Sequence, residues 1–526
     1  MLWEQKIDKV VMLTHLVEDG KHKCERYWPE DKKIMFGDIQ VKLAATQVFA
    51  HYTIRKLRLK KDGDRHNLTH FHFTSWSDKG VPATPWGLIE FEQIVFACPT
   101  LKPIVVHCSA GVGRTGTFIG LRNVMIEAKE TGCIDFYTTL LNLRKDRMNM
   151  IQTSEQYYFL HKAAEVSLLC LNTTVEASDI TERINFLKRR VSGMTNLEIE
   201  FNSICDACAI DKDEANVSQS DDTEYNNAMI LVNKHKNRFN NILPNEVYRP
   251  HLNGADDKEG GDYINAVLLP SFTRPDYQIL TQLPLPSTVA DFWRLVTQYK
   301  VSLIVEFEQD LKAKDSTIGD YLPEGENNSL KVDSFIIEAR LSASEQYWMQ
   351  QELLITTNAA NKNVETSSSI NSVEHRLTYL KCVNTDLDST KLLALAEKTR
   401  SHNSADKGRT LFMCRNGAAY SGLVYVLTLL LDRMDSDNLL TIPLIVGATK
   451  VIQPHVIPSV KQYRVLYEVL NQYQESTSVY GNIGNVNQGL SSTQPQKKPR
   501  EVKKSKNIST ESEMFNNDNV YGNSMS

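Results

Sequence analysis

His107-Cys108-Ser109-Ala110-Gly111-Val112-Gly113-Arg114-Thr115-Gly116 follows the apolar run Ile104-Val105-Val106 and opens a helix-like apolar segment. The order reads as a strand end, a glycine-bearing loop and a helix starting near Thr115. Small residues from Ser109 to Gly113 let successive backbone N–H groups converge on one anion. The helix N-terminus adds positive partial charge, and Arg114 can grip two phosphoryl oxygens at once. In that field a thiol with an ordinary pKa of about 8.5 falls to roughly 3.5 to 7.5, which makes Cys108 a thiolate nucleophile at neutral pH. A lone cysteine in a glycine turn would read as a buried structural thiol. The run from Ser109 to Arg114 reverses that reading.

Working outward, the same layout recurs. Cys414 also ends an apolar run, Leu411-Phe412, and also opens a small-residue turn before an apolar segment. Glu155-Gln156-Tyr157 returns as Lys461-Gln462-Tyr463, and both landmarks repeat at a spacing of 306 residues. Two homologous domains are expected. Further upstream, Val10-Val11-Met12-Leu13 aligns with the run ending at Phe307. The stretch from about 181 to 294 therefore has no counterpart before the first repeat, and the first domain is expected to lack its N-terminal part. The expected boundaries are 1–172 for the first domain, 173–474 for the second, and 475–526 for a disordered tail rich in Ser, Asn, Gly and Lys. A polar stretch, 358–372, reads as a surface insertion.

Bulk properties narrow the classes. A chain of 526 residues with 41% hydrophobic and 23% charged residues is long enough for two ordinary cores. A net charge of -5 carries no general footprint for nucleic acid or anionic membrane. Nine cysteines over this length form no disulfide framework, so a reducing compartment is expected. Nothing near Met1 reads as a signal peptide, and the longest apolar run, Leu423 to Leu431, is too short to span a bilayer and reads as a core helix. Any membrane attachment is expected through a segment absent from this chain. Cys205-x-x-Cys208 has no second pair, and no metal site is expected there.

The run His107 to Gly116 resembles the signature of the protein tyrosine phosphatase family, and the resemblance extends over residues 1 to 474. It implies two tandem cysteine-dependent phosphatase domains of α/β class, each a twisted mixed sheet flanked by helices. Phosphotyrosine proteins are the implied partners, and no metal or cofactor is required. Lys23-Cys24-Glu25-Arg26-Tyr27-Trp28-Pro29 resembles a family element that places Lys23, with Glu18, near a mobile acid loop. Phe71 to Pro82 resembles that loop, with Asp78 as general acid and base. Ser77 stands where the family usually has proline, which should loosen the loop and alter its closing. Gln152-Thr153-x-x-Gln156-Tyr157 resembles the segment that positions the hydrolytic water, Gln152 in contact and Gln156 in support. By the same resemblance Arg114 and the Ser109–Gly113 amides bind phosphate, His107 sets the loop, and Thr115 donates to the Cys108 thiolate.

In the second repeat, Met413-Cys414-Arg415-Asn416-Gly417-Ala418-Ala419-Tyr420-Ser421-Gly422 keeps the cysteine but puts Tyr420 where Arg114 stands. The 306-residue spacing sets Asn384 against Asp78 and Cys382 against Trp76. This resembles the inactive second domain of receptor-type phosphatases, implying a docking or regulatory module and a cytoplasmic location as the intracellular part of a single-pass receptor. In the tail, Val479-Tyr480-Gly481-Asn482 and Val520-Tyr521-Gly522-Asn523 repeat one word. It resembles the phosphotyrosine motif read by Src-homology adaptors, implying such a partner once Tyr480 or Tyr521 is phosphorylated. The Lys497–Lys506 basic run reads as solvated charge.

Overall fold

The computed structural model describes residues 1–76, 80–97, 99–213, 225–253, 260–308, 316–325, 328–358, 372–382, 387–403 and 408–488. Asp78 and Tyr521 lie outside the described residues, as do residues 359–371 of the expected insertion and residues 489–526.

Two mixed sheets organise the chain. The first holds β1 (Lys9–Met12), β2 (Lys33–Phe36), β3 (Ile39–Val48), β4 (Tyr52–Lys61), β5 (Asp64–Phe73) and β6 (Val105–His107), in the spatial order β2-β3-β4-β5-β1-β6. β1 pairs in parallel with both β5 and β6. A strand enclosed in this way must be apolar on both faces, and all four residues of Lys-Val-Val-Met are buried. The buried Lys9 ammonium is satisfied by the Val95 carbonyl at 2.7 Å. β2 to β5 form an antiparallel meander. The Asp62-Gly63 turn between β4 and β5 has both residues at positive φ, 49° and 94°, the geometry that suits a two-residue hairpin in a right-twisted pair.

The second sheet holds β7 (Ala266–Leu269), β8 (Gln278–Gln282), β9 (Val301–Glu306), β10 (Ser329–Val332), β11 (Phe335–Ser344), β12 (Trp348–Asn358), β13 (Ser372–Cys382) and β14 (Arg409–Cys414), in the order β7-β8-β14-β9-β13-β12-β11-β10. Its last six strands repeat the first sheet strand for strand. β7 and β8 have no counterpart in the first sheet, so β6 is an edge among the described residues, whereas β14 is paired on both sides.

The register corrects one expectation. β1 and β9 each pair with the next strand of their sheet, Val10 with His70 and Ile304 with Tyr379. His70 and Tyr379 are 309 residues apart, not 306. Phe73 opposes Tyr52 and Cys382 opposes Trp348, so Cys382 is the counterpart of Phe73 and not of Trp76. Asp78 and Asn384, the other pair set by that spacing, lie outside the described residues. A fixed spacing fails because loops between paired strands gained and lost residues while the strands kept their partners.

Helices pack on both sheets: α1 (Trp86–Ala97), α2 (Gly113–Thr131), α3 (Phe136–Asp146) and α4 (Ser154–Leu169) in the first domain. In the second are α5 (Ile180–Leu187), α6 (Asn196–Asp213), α7 (Val289–Gln298), α8 (Ser389–Asn403), α9 (Ala419–Asp437), α10 (Ile442–Ile452) and α11 (Val460–Gln488). The Leu423–Leu431 run lies in α9 as core, and no helix of the described residues is long and apolar enough to cross a membrane. The tail boundary expected at 475 falls inside α11, which continues to Gln488, so the backbone of Val479–Asn482 is helical.

The two domains share a core in which Trp86, Ile89, Val166 and Cys170 pack with residues of α9 and α10. Across it, the buried Arg433 donates to Glu90 at 2.5 Å and to the Tyr52 hydroxyl at 3.0 Å. Burial disfavours the cation, but the Glu90 carboxylate and Tyr52 hold its pKa above the ordinary arginine value. Breaking a buried pair leaves the partner charge uncompensated, so Arg433→Ala is expected to cost about 3–5 kcal/mol. Urea unfolding checks this, and a shift under 1 kcal/mol (about a tenth of the stability of an ordinary domain) would count against it.

Candidate active site

β6 delivers Cys108 to the floor of the loop, where it is 9% exposed, while Ser109 and Ala110 at the mouth are exposed. α2 begins at Gly113, two residues before the expected start, with Val112 as its N-cap and no side chain capping it. Its first N–H groups are thus left to the loop. The Gly111 N–H donates to Cys108 Sγ at 3.3 Å. Burial pushes the thiol pKa up, but donation from the Thr115 hydroxyl and from the Thr115, Gly111 and Val112 amides outweighs it, and the net shift is downward.

Arg114 is held in a fork. Its Nη1 donates to Glu18 Oε1 at 2.7 Å and to the Leu13 carbonyl at 3.1 Å, and its Nη2 donates to Glu18 Oε2 at 3.0 Å. Glu18 is itself fixed by the Thr14 hydroxyl at 3.1 Å and the His15 N–H at 2.9 Å. The guanidinium also sits 6.0 Å above the Trp76 ring, at the base of the expected acid loop. Lys23 is half-buried, its N–H on the Leu16 carbonyl at 2.9 Å.

His107 Nδ1 donates to its neighbour's carbonyl (Cys108 O, 3.1 Å), and Nε2 bonds the Tyr27 hydroxyl (2.7 Å). Burial lowers its pKa, so the neutral ring is favoured and it shapes the loop. Tyr27 also reaches His70 Nε2 at 2.9 Å.

On the opposite lip, Gln156 Oε1 accepts the Gln152 N–H at 2.9 Å, and the Gln152 side chain is exposed. Thr153 caps α4 by accepting the Gln156 N–H. Arg144 ties this turn from below, donating to the Met150 and Ile151 carbonyls at 3.1 and 2.9 Å, and Arg147 donates to Ala110 O at 3.1 Å. The β-branched Ile151 sits at φ 55°, a costly conformation sustained by these bonds and by its own N–H on Val112 O. Gly116 faces this turn, and a Cβ there would stand 2.5 Å from Ile151 N. Backbone cannot give way cheaply, so Gly116→Ala is expected to lower stability by about 1–3 kcal/mol. The urea midpoint measures this, and an unchanged midpoint would refute the tight approach.

Of the residues named from the sequence, the fold brings Cys108, Arg114, His107, Thr115, Gln152 and Gln156 around one loop, whereas Lys23 is tied through its backbone to Leu16. Sequence reasoning assigned no role to Tyr27, Arg144 or Arg147. Tyr27 stood inside a quoted motif, and the two arginines flank the Asp146 turn, but nothing local indicated which carbonyls they would meet.

The second loop is built differently. Asn416 Oδ1 accepts the Ala418 and Ala419 N–H groups at 3.1 and 3.0 Å and the Cys414 thiol at 3.2 Å. Glu308 accepts the Arg415 N–H. Three amides of this loop, those of Arg415, Ala418 and Ala419, are therefore already satisfied by the chain's own oxygens, while those of Tyr420 and Ser421 face the Cys414 sulfur. Cys414 is fully buried 3.0 Å from Ser421 Oγ, and burial raises its pKa despite that bond. Tyr420 lies against Phe307 and offers no positive charge.

Residues 1–165 and 233–472 match the family profile described as protein-tyrosine phosphatase. Receptor-type tyrosine-protein phosphatase U of Gallus gallus is 31% identical over 497 residues, covering 90% of this chain and 33% of that protein. Receptor-type tyrosine-protein phosphatase alpha of Homo sapiens is 29% identical over 494 residues, 92% of this chain and 59% of that protein. Receptor-type tyrosine-protein phosphatase zeta of Rattus norvegicus is 29% identical over 488 residues, 89% and 20% respectively. The chain thus spans between a fifth and about three fifths of these relatives. A profile match over most of its length, with the cradle geometry above, places the chain in the protein-tyrosine phosphatase family.

Proposed function

We propose that the first domain hydrolyses phosphotyrosine in proteins. The observation that carries this reading is a cysteine whose thiol pKa falls although the group is buried, beside an arginine locked for bidentate contact. Cys108 Sγ attacks phosphorus in line and the tyrosyl oxygen departs, taking a proton from Asp78. Water, oriented by Gln152 and deprotonated by Asp78, then attacks the phosphocysteine, and Cys108 leaves as thiolate with Thr115 donating to it. Arg114 and the loop amides balance the phosphoryl charge throughout. The Asp78 role rests on the motif, since that residue lies outside the described residues. The second domain, its cradle self-filled, serves docking or regulation. As in the receptor-type relatives, the location proposed is the cytoplasmic side of a membrane receptor, with Tyr480 and Tyr521 as adaptor sites after phosphorylation. The helical backbone at Tyr480 would have to unwind first.

Turnover of a phosphotyrosyl beside a phosphoseryl peptide, with Cys108→Ser and Asp78→Ala as controls, tests the reading. Activity on the tyrosyl peptide alone, lost with Cys108, supports it. A folded chain without turnover would favour a second reading, a phosphoprotein-binding module, for which β6, an edge among the described residues, is the specific support.

Thiolate chemistry adds a measurable pH dependence. A lowered pKa keeps Cys108 ionised below the range of an ordinary thiol, and reactivity is lost as pH falls through that lowered value. Iodoacetamide at pH 6.5 is expected to label Cys108 at least about tenfold faster than Cys414, whose pKa is raised. Equal rates, read by peptide mass mapping, would contradict the electrostatic argument.

A further inference from the structure

In the second domain a cavity of about 300 Å³ opens between α5, α6 and α11. Ligand pockets begin at about this size and combine an apolar lining with a few polar groups. Ile184 and Leu187 of α5, Leu197 of α6 and the Tyr467 ring of α11 supply the apolar wall. Packing holds that wall in place. The Tyr467 hydroxyl donates to Glu200 Oε1 at 2.6 Å, Glu200 is paired with Arg183, and Leu197 belongs to the core that Val166 and Trp86 of the first domain complete. Lys188, Arg464 and Glu468 also line the cavity, and all three are exposed. Among the described residues their side chains have neither a hydrogen bond nor an ion pair. Thr195, the other polar group of the lining, is spent on Glu198: its N–H and hydroxyl donate to Oε2 at 2.7 and 2.8 Å. Those bonds hold the Glu198 pKa below the ordinary glutamate value, and the nearby charges of Arg190 and Arg464 lower it further. The cations Lys188, Arg190 and Arg464 thus face the carboxylates of Glu198 and Glu468, and one positive charge is left unmatched.

We propose that this cavity is a binding site for a small organic monoanion with an apolar tail, of the class of medium-chain carboxylates. The tail lies against Ile184, Leu187 and Leu197, and the carboxylate is met by Lys188 and Arg464. An apolar wall beside one unmatched positive charge selects a single negative charge on an otherwise apolar molecule. Arg464 can meet a carboxylate with two parallel donors, and Lys188 adds a point charge. Both cations are exposed, so they reach an incoming anion without opening the core. The site is independent of the phosphatase reading, and its test reads binding alone.

The probe is octanoate, added to the full chain carrying ¹³C-methyl-labelled isoleucine. The Ile184 δ1-methyl resonance is identified by its loss in Ile184→Val. Octanoate is expected to move that resonance saturably in the millimolar range. Octanol, with the same tail and no charge, is expected to bind at least about threefold more weakly. Replacing both cations, Lys188→Gln with Arg464→Gln, is expected to weaken octanoate at least about tenfold, the scale of a hydrogen bond to a charged group, and to leave octanol unchanged. Absence of a saturable shift overturns the proposal. So does octanol that binds as tightly as octanoate, or octanoate binding that survives the loss of both cations. Should the double variant unfold, Glu468→Gln replaces it: loss of the opposing carboxylate is expected to tighten octanoate at least about twofold, and an unchanged affinity would refute the site.

Discussion

Cys108→Ser is expected to lower turnover of a phosphotyrosyl peptide by about 10⁵-fold or more, on the scale of nucleophile removal in other covalent enzymes. Cys414→Ser is expected to leave the rate unchanged. The contrast follows from the two loops. Around Cys108 the Gly111 amide and its neighbours point at sulfur and lower its pKa. A serine hydroxyl, with a far higher pKa, would stay protonated in the same field. Around Cys414 the Arg415, Ala418 and Ala419 amides are spent on Glu308 and Asn416 Oδ1, and burial of the sulfur raises its pKa despite the Tyr420 and Ser421 amides. Steady-state rates for the wild-type chain and both variants decide the matter. A Cys108→Ser chain retaining a tenth of the rate, or a Cys414→Ser chain losing most of it, would overturn the division of labour between the domains.

The next largest effect is expected at Arg114. Arg114→Lys preserves charge but loses the fork, and lysine cannot reproduce two parallel donors to phosphoryl oxygens or to Glu18. Removal of one preorganised donor costs about 10²–10³ in kcat. Loss of the bidentate geometry is expected to reach at least that, with a rise in KM for the phosphopeptide. Glu18→Gln separates positioning from contact. It leaves Arg114 in place to meet phosphate but unpins it, and it should lower kcat by about tenfold with little change in thiol alkylation rate. Equal losses for Arg114→Lys and Glu18→Gln would mean that the ion pair, rather than the phosphate contact, dominates. An Arg114→Lys chain within threefold of wild type would refute the role.

Most of the cradle was legible because its parts are contiguous. A strand end, small residues, an arginine and a helix start within ten positions specify local backbone geometry, and geometry is what lowers the thiol pKa. The repeat was legible for a similar reason, since Cys108 and Cys414 head the same pattern. What failed was arithmetic over distance. The spacing of 306 holds at β6 and β14, but β5 and β13 sit 309 apart, so Cys382 fell opposite Phe73. Strand pairing is set by ladder hydrogen bonds and buried faces, which tolerate loop insertions that counting does not register. The expected tail boundary falls inside helix α11, which continues past the last core residue through polar sequence.

The family, the proposed nucleophile and phosphate loop, and the loss of the arginine in the second repeat were all legible in the amino-acid sequence, because each is written in adjacent residues whose chemistry acts locally. Packing in three dimensions settled which groups, distant in the chain, complete that chemistry: Glu18 clamping Arg114, Tyr27 holding His107, Arg147 on the rim, and Glu308 on the second cradle. Partners 37 to 107 residues apart meet only once two sheets and their helices have packed. The identity of a buried polar group's partner is settled by that packing and not by its neighbours in sequence.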